Sequence, residues 1–522
     1  MSAALDNKMP AGIPYIVANE FAERFCYYGI NAILAIYMVQ TLQFGEAQAT
    51  TWQSLFKSGA YFFPMVGAII SDVFWGKFRT IILFSLAYVA GCAVLALFSG
   101  PTGLAAGLFL IALGTGGIKP CVSTNVGDQF TGRNQHLIER AFSWFYLSIN
   151  AGSLISIFFC PILLEKYGPK VAFGVPGGMM LLAVIVFWLG RNRFAVVPPA
   201  GKQWFKDVFS AEGLALVGRL AVIYLFIAVF WALWDQSNGQ TWTLQSQSDL
   251  MDKNLGFGMV MLPSQIQVVN ALFILLMVPI FSYGIYPLMN RYFAVTPLRK
   301  IGIGLFVTAS SFLVIAWVED QIQNGHSVSI WWQILAYAIL TAGEVLVSIT
   351  ALEFSYKQAP LRMKSFIMAL FLLSVSAGNL LTAGVASSMV KPVPGVAVQP
   401  GAETVVQLPA EFVRGQKIDF SGDTGLTVQL ADGKTQPLAG TYIVGEIAEG
   451  KAPLLDVVHR QPVATLGDFA ATAEVTTYRL VGPQFFLFFA ALMAGVGGLW
   501  IFVAMAYVEK THVRIDEAAA AV

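Results

Sequence analysis

Glu20, Glu23 and Arg24 fall within five residues of one another in VANEFAERFCYYGINAIL, Val17 to Leu34, a stretch otherwise apolar enough to cross a membrane. A charge at the bilayer centre costs about 2.5–3.5 kcal/mol even on the lenient insertion scale, so three in one span need a purpose. Further charged residues stand in apolar surroundings: Lys57, Lys119 in GTGGIKPCVSTNVG, Asp235 in FWALWDQ and Glu344 in LTAGEVLVS. Carboxylates and cations at such positions can pair, exchange protons and bind a charged solute. No nucleophile with its base and no metal-ligand set accompanies them, so an enzyme is not expected.

The elements that position these groups follow from composition. Of 522 residues, 57% are hydrophobic and only 12% charged, with a mean hydropathy of +0.67, which places the chain among integral membrane proteins. The net charge of +1 suggests no nucleic-acid partner. All four cysteines (Cys26, Cys92, Cys121, Cys160) lie in apolar runs, against a disulfide framework or Cys-based metal site. The first sixteen residues lack a basic region and a cleavage site, so the first span is expected to remain as an anchor.

Apolar runs long enough to span a bilayer occur near 14–40, 53–71, 80–98, 103–126, 141–163, 171–190, 217–239, 263–286, 298–317, 329–354, 363–389 and 483–508. This predicts an all-α polytopic protein of twelve transmembrane helices in two six-helix bundles. The divisions are an N-terminal bundle at 14–190, a cytoplasmic linker at 191–216, helices 7–11 at 217–389, an insertion at 390–482, helix 12 at 483–508 and a tail at 509–522. Lys77, Arg79, Arg133, Arg140, Arg191, Arg193, Lys202, Lys206 and Arg219, with nine further basic residues, then share one side with both termini, whereas the short opposite loops hold only Lys166, Lys170 and Lys253. The basic side is expected to be cytoplasmic. The insertion alternates apolar and polar residues between turn signals, as in AEFVRGQKIDFSG and TGLTVQLADGKTQPLAG, which predicts a small extracytoplasmic β module. A solvated structural extension is its plainest role.

With about 1.5 Å of rise per residue, the intramembrane polar groups sort by depth. Helix 1 carries its polar residues at 20, 23, 24, 27, 28 and 31, one helical face. Glu23, Arg24, Lys119, Asn150 and Glu344 form an inner layer about 5 Å to the cytoplasmic side of centre. Asn31, Lys57 and Asp235 form an outer layer roughly 6–8 Å to the other side. Equal depth allows Glu23 to pair with Lys119 and Lys57 with Asp235, which is how buried charge becomes tolerable. Static interhelical staples are the competing reading. Trp331 and Trp332 fit an interfacial belt, Glu353 fits a local pair with Lys357, and His136, His326, His459 and His512 all fall in loops or tails.

GAIISDVFWGKFRT, between helices 2 and 3, resembles the loop signature of the major facilitator superfamily. A closer resemblance is carried by five motifs in order: Glu20 to Gly29 in the form ExxERFxYYG, GTGGIKPCVSTNVGDQF, FYLSINAGS, FWALWDQ and GEVLVSITALEFSYKQAPLRMKS. Together they resemble the proton-coupled oligopeptide transporter family over nearly the whole chain except 391–481. The resemblance implies the major facilitator fold and symport of di- and tripeptides and peptide-like compounds by alternating access, with a proton gradient and no cofactor. It implies proton coupling through Glu20, Glu23, Arg24, Lys119 and Asp235. It further implies that Lys119, Arg24 and Asn150 hold the peptide carboxylate, that Glu344 receives the amino terminus, and that Tyr27, Tyr28, Tyr61, Trp231 and Asn270 line the pocket. Asn31 and Lys57 are counted with the substrate-facing residues.

The chemistry favours that assignment. A dipeptide is a zwitterion, so its pocket needs a cationic and an anionic end, and adaptable aromatic walls for varied side chains. Neutralising Glu23 would release Lys119 for the substrate carboxylate and undo a lock between helices. The chain departs from the family in having Asn31 where an Arg is common, which leaves Asn31 only a hydrogen bond to offer Asp235 and makes Lys57 the expected replacement cation. Ser54 stands near the place of the animal members' histidine, and the linker is too short for the two extra helices of many bacterial members. A monomer in the bacterial inner membrane is expected. Transport of another organic solute and a receptor-like role for the β module are the alternatives.

Overall fold

A computed structural model describes residues 8–131, 134–199, 201, 209–256, 258–358, 364–409, 411–429, 435–470 and 472–507. The expected tail at 509–522 and most of the linker around 200–208 lie outside the described residues. Twelve long helices are present among those described: α1 (Ile13–Ile36), α2 (Glu46–Ile69), α3 (Lys77–Leu97), α4 (Pro101–Asp128), α5 (Ile138–Tyr167), α6 (Pro169–Leu189), α7 (Ala211–Ser237), α8 (Val268–Ile280), α9 (Pro297–Gln323), α10 (Trp331–Glu344), α11 (Lys364–Ser388) and α12 (Pro483–Ala506). Eleven helices are long and apolar enough to cross a membrane; α1, with its three charges, is not among the eleven, though it packs as the twelfth. Helix α7 starts at Ala211, inside the stretch expected to be linker, with Ser210 accepting a hydrogen bond from the Gly213 amide as its N-cap.

Two apolar cores form. One, with Phe25, Phe84, Tyr88, Phe173 and Phe187, lies within α1–α6; the other, with Trp242, Phe312, Tyr337, Phe489 and Trp500, lies within α7–α12. Across the divide α2 packs along α11, where Ser58 Oγ and Ser376 Oγ are 2.9 Å apart. Close approach inside the first half depends on Gly67, where a Cβ would come within 2.5 Å of Gly117 Cα on α4. Helices α1, α2, α8 and α10 each run on into a π-turn, at Tyr37–Thr41, Ile70–Trp75, Phe281–Ile285 and Val345–Ile349; such turns widen the helix and re-aim neighbouring side chains. The π-turn after Glu344 is the one nearest a predicted site residue.

Between α11 and α12 the chain folds into the expected β module. After the two-residue strands β1 (Met251–Asp252) and β2 (Val328–Ser329), which pair in parallel within the second half, the module's strands are β3 (Val390–Pro392), β4 (Ala397–Gln399), β5 (Val405–Gln407), β6 (Lys417–Ser421), β7 (Leu426–Gln429), β8 (Thr435–Pro437), β9 (Gly440–Val444), β10 (Lys451–Asp456), β11 (Thr465–Gly467) and β12 (Glu474–Tyr478). A seven-stranded sheet runs β3-β12-β6-β9-β10-β5-β4 and a three-stranded sheet β11-β7-β8. They enclose a separate core that includes Val406, Ile418, Phe420, Leu438, Val444 and Leu454. An even number of helices puts the N-terminus of α1 and the C-terminus of α12 on one side, called here the termini side, and the module on the other.

Candidate functional site

In the first half, Arg24 lies one turn beyond Glu20 on α1, which brings its Nε within 3.1 Å of Glu20 Oε1. Its guanidinium also pairs with Glu23. Thr115 of α4 donates its hydroxyl to the same Glu23 carboxylate. The expected Glu23–Lys119 pair is therefore not made. Glu23 spends its oxygens on Arg24 and Thr115, while Lys119 Nζ is buried with no hydrogen-bond partner. Lys119 instead lies against two aromatic faces, 4.3 Å from the centre of the Tyr27 ring and 4.0 Å from that of Tyr61. Tyr27 stacks edge-on with Tyr28 at 5.4 Å and with Tyr61 at 6.4 Å. Ring quadrupoles stabilise a cation partly, leaving all three ammonium protons available to an acceptor. Pro120, next in sequence, removes a helix hydrogen bond and loosens α4 there.

In the second half, Glu344 Oε2 accepts from Asn270 Nδ2 at 2.8 Å and from Trp234 Nε1 at 2.8 Å. Asn270 also donates to Thr341 Oγ1 at 3.0 Å. Trp231 is buried and packs on Trp234 with ring centres 5.4 Å apart. Both donors to this carboxyl group are neutral, and neither brings a positive charge to it.

Toward the module side, Lys57 of α2 is fully buried. Its Nζ lies 3.1 Å from Asp235 Oδ1, 3.0 Å from the Asp235 carbonyl and 2.7 Å from the Asn238 carbonyl. Asn379 Nδ2 of α11 donates to Asp235 Oδ2 at 2.6 Å. Asn31 does not reach Asp235; its amide donates to the Asn238 carbonyl at 3.0 Å and Oδ1 at 3.2 Å. Gln53 Nε2 closes the group onto Asn31. Gln40 to Gln247 at 3.2 Å and Gln240 to Ser54 at 3.1 Å add links between the halves. The halves are therefore joined on the module side. Below Lys119, a cleft lined by Asp72, Lys77, Lys119, Leu352, Met368 and Leu372 opens between α2 and α4 on one side and the α10 extension and α11 on the other.

Asn150 falls outside the ionic groups, its amide bonded to the Tyr146 carbonyl of its own helix at 2.8 Å. Lys77 pairs with Asp128, which ties the start of α3 to α4. Glu353 pairs with Lys357. Trp331 and Trp332 are exposed. Among the described residues no cluster of His, Cys, Asp and Glu could hold a metal. Sequence reasoning did not single out Thr115, Trp234, Asn238 or Asn379. Thr115, one turn before Lys119 in GTGGIKP, and Trp234, beside Asp235, carried the only available signals.

The model of the POT family matches residues 78–217 and 210–399. The chain belongs to the POT family. This POT protein is 39% identical over 365 residues to human solute carrier family 15 member 2, an alignment covering 60% of this chain and 50% of the human protein. It therefore spans about half the length of the curated relatives it matches. Among solved structures it resembles the POT family transporter PepTSo, with a TM-score of 0.67 at 34% identity over 73% of this chain and 90% of that one. It also resembles an auto-inhibited POT family peptide transporter, with a TM-score of 0.72 at 26% identity over 97% and 99% of the two chains. That near-complete coverage takes in the β module, which the family match to 399 largely leaves out. The POT chain is an integral membrane protein of a transporter family, with the twelve-helix architecture expected from its sequence.

Proposed function

We propose that the protein is a proton-coupled symporter of di- and tripeptides that works by alternating access between its two halves. The observation that carries this reading is the separation of opposite charges. Lys119 stands unpartnered among tyrosines in one half, and Glu344 stands oriented by neutral donors in the other. A peptide carboxylate at Lys119 and an ammonium at Glu344 would satisfy both, and the aromatic lining from Tyr27, Tyr28, Tyr61 and Trp231 tolerates varied side chains. The name of one similar solved structure, an auto-inhibited POT family peptide transporter, also points to peptides.

Coupling follows from the two ionic groups. Glu23 holds Arg24 and Thr115 rather than Lys119, so a proton on Glu23 frees Arg24 to join Lys119 at the substrate carboxylate. Asp235 holds Lys57 across the divide, so a proton on Asp235 loosens the module-side closure and admits substrate from that side. Glu20 tunes Arg24 from the other flank. The termini side is assigned to the cytoplasm from the crowding of basic residues there, in a bacterial inner membrane, and the working unit is a monomer. Uptake of dialanine into proteoliposomes under an imposed inward proton gradient tests the reading. Competition by di- and tripeptides and not by free amino acids is expected; gradient-independent accumulation, or equal competition by amino acids, would overturn it.

A further inference from the structure

The β module touches both halves, and the two sets of contacts differ in kind. It is joined to the second half covalently at both ends, directly after α11 and directly before α12. Further ties fix it there: the Asp249 amide donates to the Val458 carbonyl at 2.9 Å, His459 Nδ1 lies 2.6 Å from Asp249 Oδ2, and Gly415 packs against the Gln323 backbone at the end of α9. These contacts move with the second half as a unit. Among the described residues, the contacts with the first half are non-covalent and gather at the first turn of α2 and the residues just before it, where Gly440 lies against Gln43.

That turn is unfinished on its own. Its N-cap, Gly45, supplies no side chain to the free amides. The module supplies them instead. Thr441 Oγ1 accepts from the Glu46 amide at 2.9 Å, and the Tyr478 hydroxyl accepts from the Ala47 amide at 3.3 Å. Asp419 fills the space beside Gly45, where a Cβ would lie 2.3 Å from its Oδ2. Lys417 Nζ reaches Glu46 Oε2 at 2.7 Å and Glu319 Oε1 of α9 at 4.0 Å, so one cation of the module stands between an acid of each half. These polar contacts border a small cavity lined by Glu46, Glu319, Lys417 and Tyr478 together with apolar residues such as Leu244, Met389 and Phe486. Hydrogen bonds and ion pairs of this kind can part and re-form.

We infer that the β module is a strap of the transport cycle: through Lys417, Thr441, Tyr478 and Asp419 it clasps the start of α2 and holds the module side shut, and it must let go each time that side opens. This rests on the alternating-access reading for its cycle but not for its geometry, since the clasp concerns one contact in one state. If the first half separates from the second on the module side, α2 leaves Lys57's partner Asp235 and the module together. The strap and the Lys57–Asp235 pair then act in parallel, one outside the bilayer and one within it.

Two measurements on the full-length protein decide the matter. Cysteines at Gly45 and Asp419 suit a disulfide, because a Cβ at Gly45 lies 3.4 Å from Asp419 Cβ, close to the usual disulfide separation. Oxidised Gly45→Cys/Asp419→Cys protein is expected to lose uptake by roughly tenfold or more and to recover on reduction, as a locked gate would. Full uptake with the bridge formed overturns the inference. Separately, spin labels at Gln48→Cys and Asp252→Cys, on exposed positions of the two halves, report the module-side distance without any substrate. Lys417→Met and Thr441→Val/Tyr478→Phe are expected to raise the long-distance population roughly tenfold. An unchanged distribution in both variants overturns the strap, whatever uptake shows; a shifted distribution in a protein without peptide uptake upholds the strap and removes the substrate reading.

Discussion

Lys119 Nζ stands 4.0 Å from the centre of the Tyr61 ring, a buried cation facing an aromatic surface rather than an acid. If the ammonium is reserved for a peptide carboxylate, Lys119→Gln lowers dialanine uptake by about 30-fold or more, the scale of losing a buried charge pair. Tyr61→Phe keeps the ring and is expected to keep uptake within about threefold, while Tyr61→Ala loses about 10-fold as the cation loses its face. Initial rates in proteoliposomes distinguish these outcomes.

Lys57 and Asp235 form a cross-half pair with almost no exposure. Removing one member strands the other, at a cost of about 3–5 kcal/mol. Lys57→Ala and Asp235→Asn should each lower the thermal unfolding midpoint in detergent and abolish proton-driven uptake, while gradient-free exchange of peptide persists. Proton-driven accumulation at wild-type rates in both variants would rule out the pair as a coupling element.

Glu344→Gln preserves an acceptor for Asn270 and Trp234 and removes the charge. Folding should be unaffected, since both hydrogen bonds can still be made. Uptake of peptides with a free amino terminus is expected to fall about 10-fold, and N-acetylated peptides should change little. Side-by-side uptake of dialanine and its acetylated form measures the difference.

Asp419 carries a carboxyl pushed up to about 6, chiefly by burial, with hydrogen bonds from Thr441 and Tyr478 opposing the rise and Glu46 adding to it; Lys417 lies close enough to oppose it too. Because the folded value is raised, its favourable contribution to docking is complete below the ordinary 3.8 and is lost as pH rises through about 6. The distance between labels at Gln48→Cys and Asp252→Cys should therefore shorten on average as pH falls from 7 toward 5. Asp419→Asn should flatten that dependence, and an equally steep profile in the variant would assign it to other groups.

Much of this was legible in the sequence because membrane spans and charges within them are written in hydropathy. The twelve helices, the β module after α11 and the facing of Lys57 and Asp235 all follow from spans and depth. Depth is one coordinate, however, and it says nothing of which way a side chain points around its helix. That is why Glu23 and Lys119, at one height, were expected to meet although Arg24 and Thr115 stand closer. Asn31 was aimed at Asp235 for the same reason. The chain leaves helical geometry just past Asp235, and the exposed carbonyl of Asn238 takes both the Asn31 amide and the Lys57 ammonium; no periodicity encodes a helix end that serves as an acceptor. Asn379 and Thr341 are single polar residues in apolar runs, indistinguishable by composition from many that bond only to their own backbone.

The cap on α2 also bears on how the molecule is built. The groups that complete its first turn, from Asp419 to Tyr478, lie hundreds of residues downstream of Gly45 and are separated from it by ten long helices, α2 to α11, in the described chain. During synthesis the first half emerges and enters the membrane with those two amides bare, and they gain their partners only when the module has folded. The seal at this end is among the last things the ribosome delivers, so a chain truncated before Lys417 should assemble its first six helices yet leave that side unfastened.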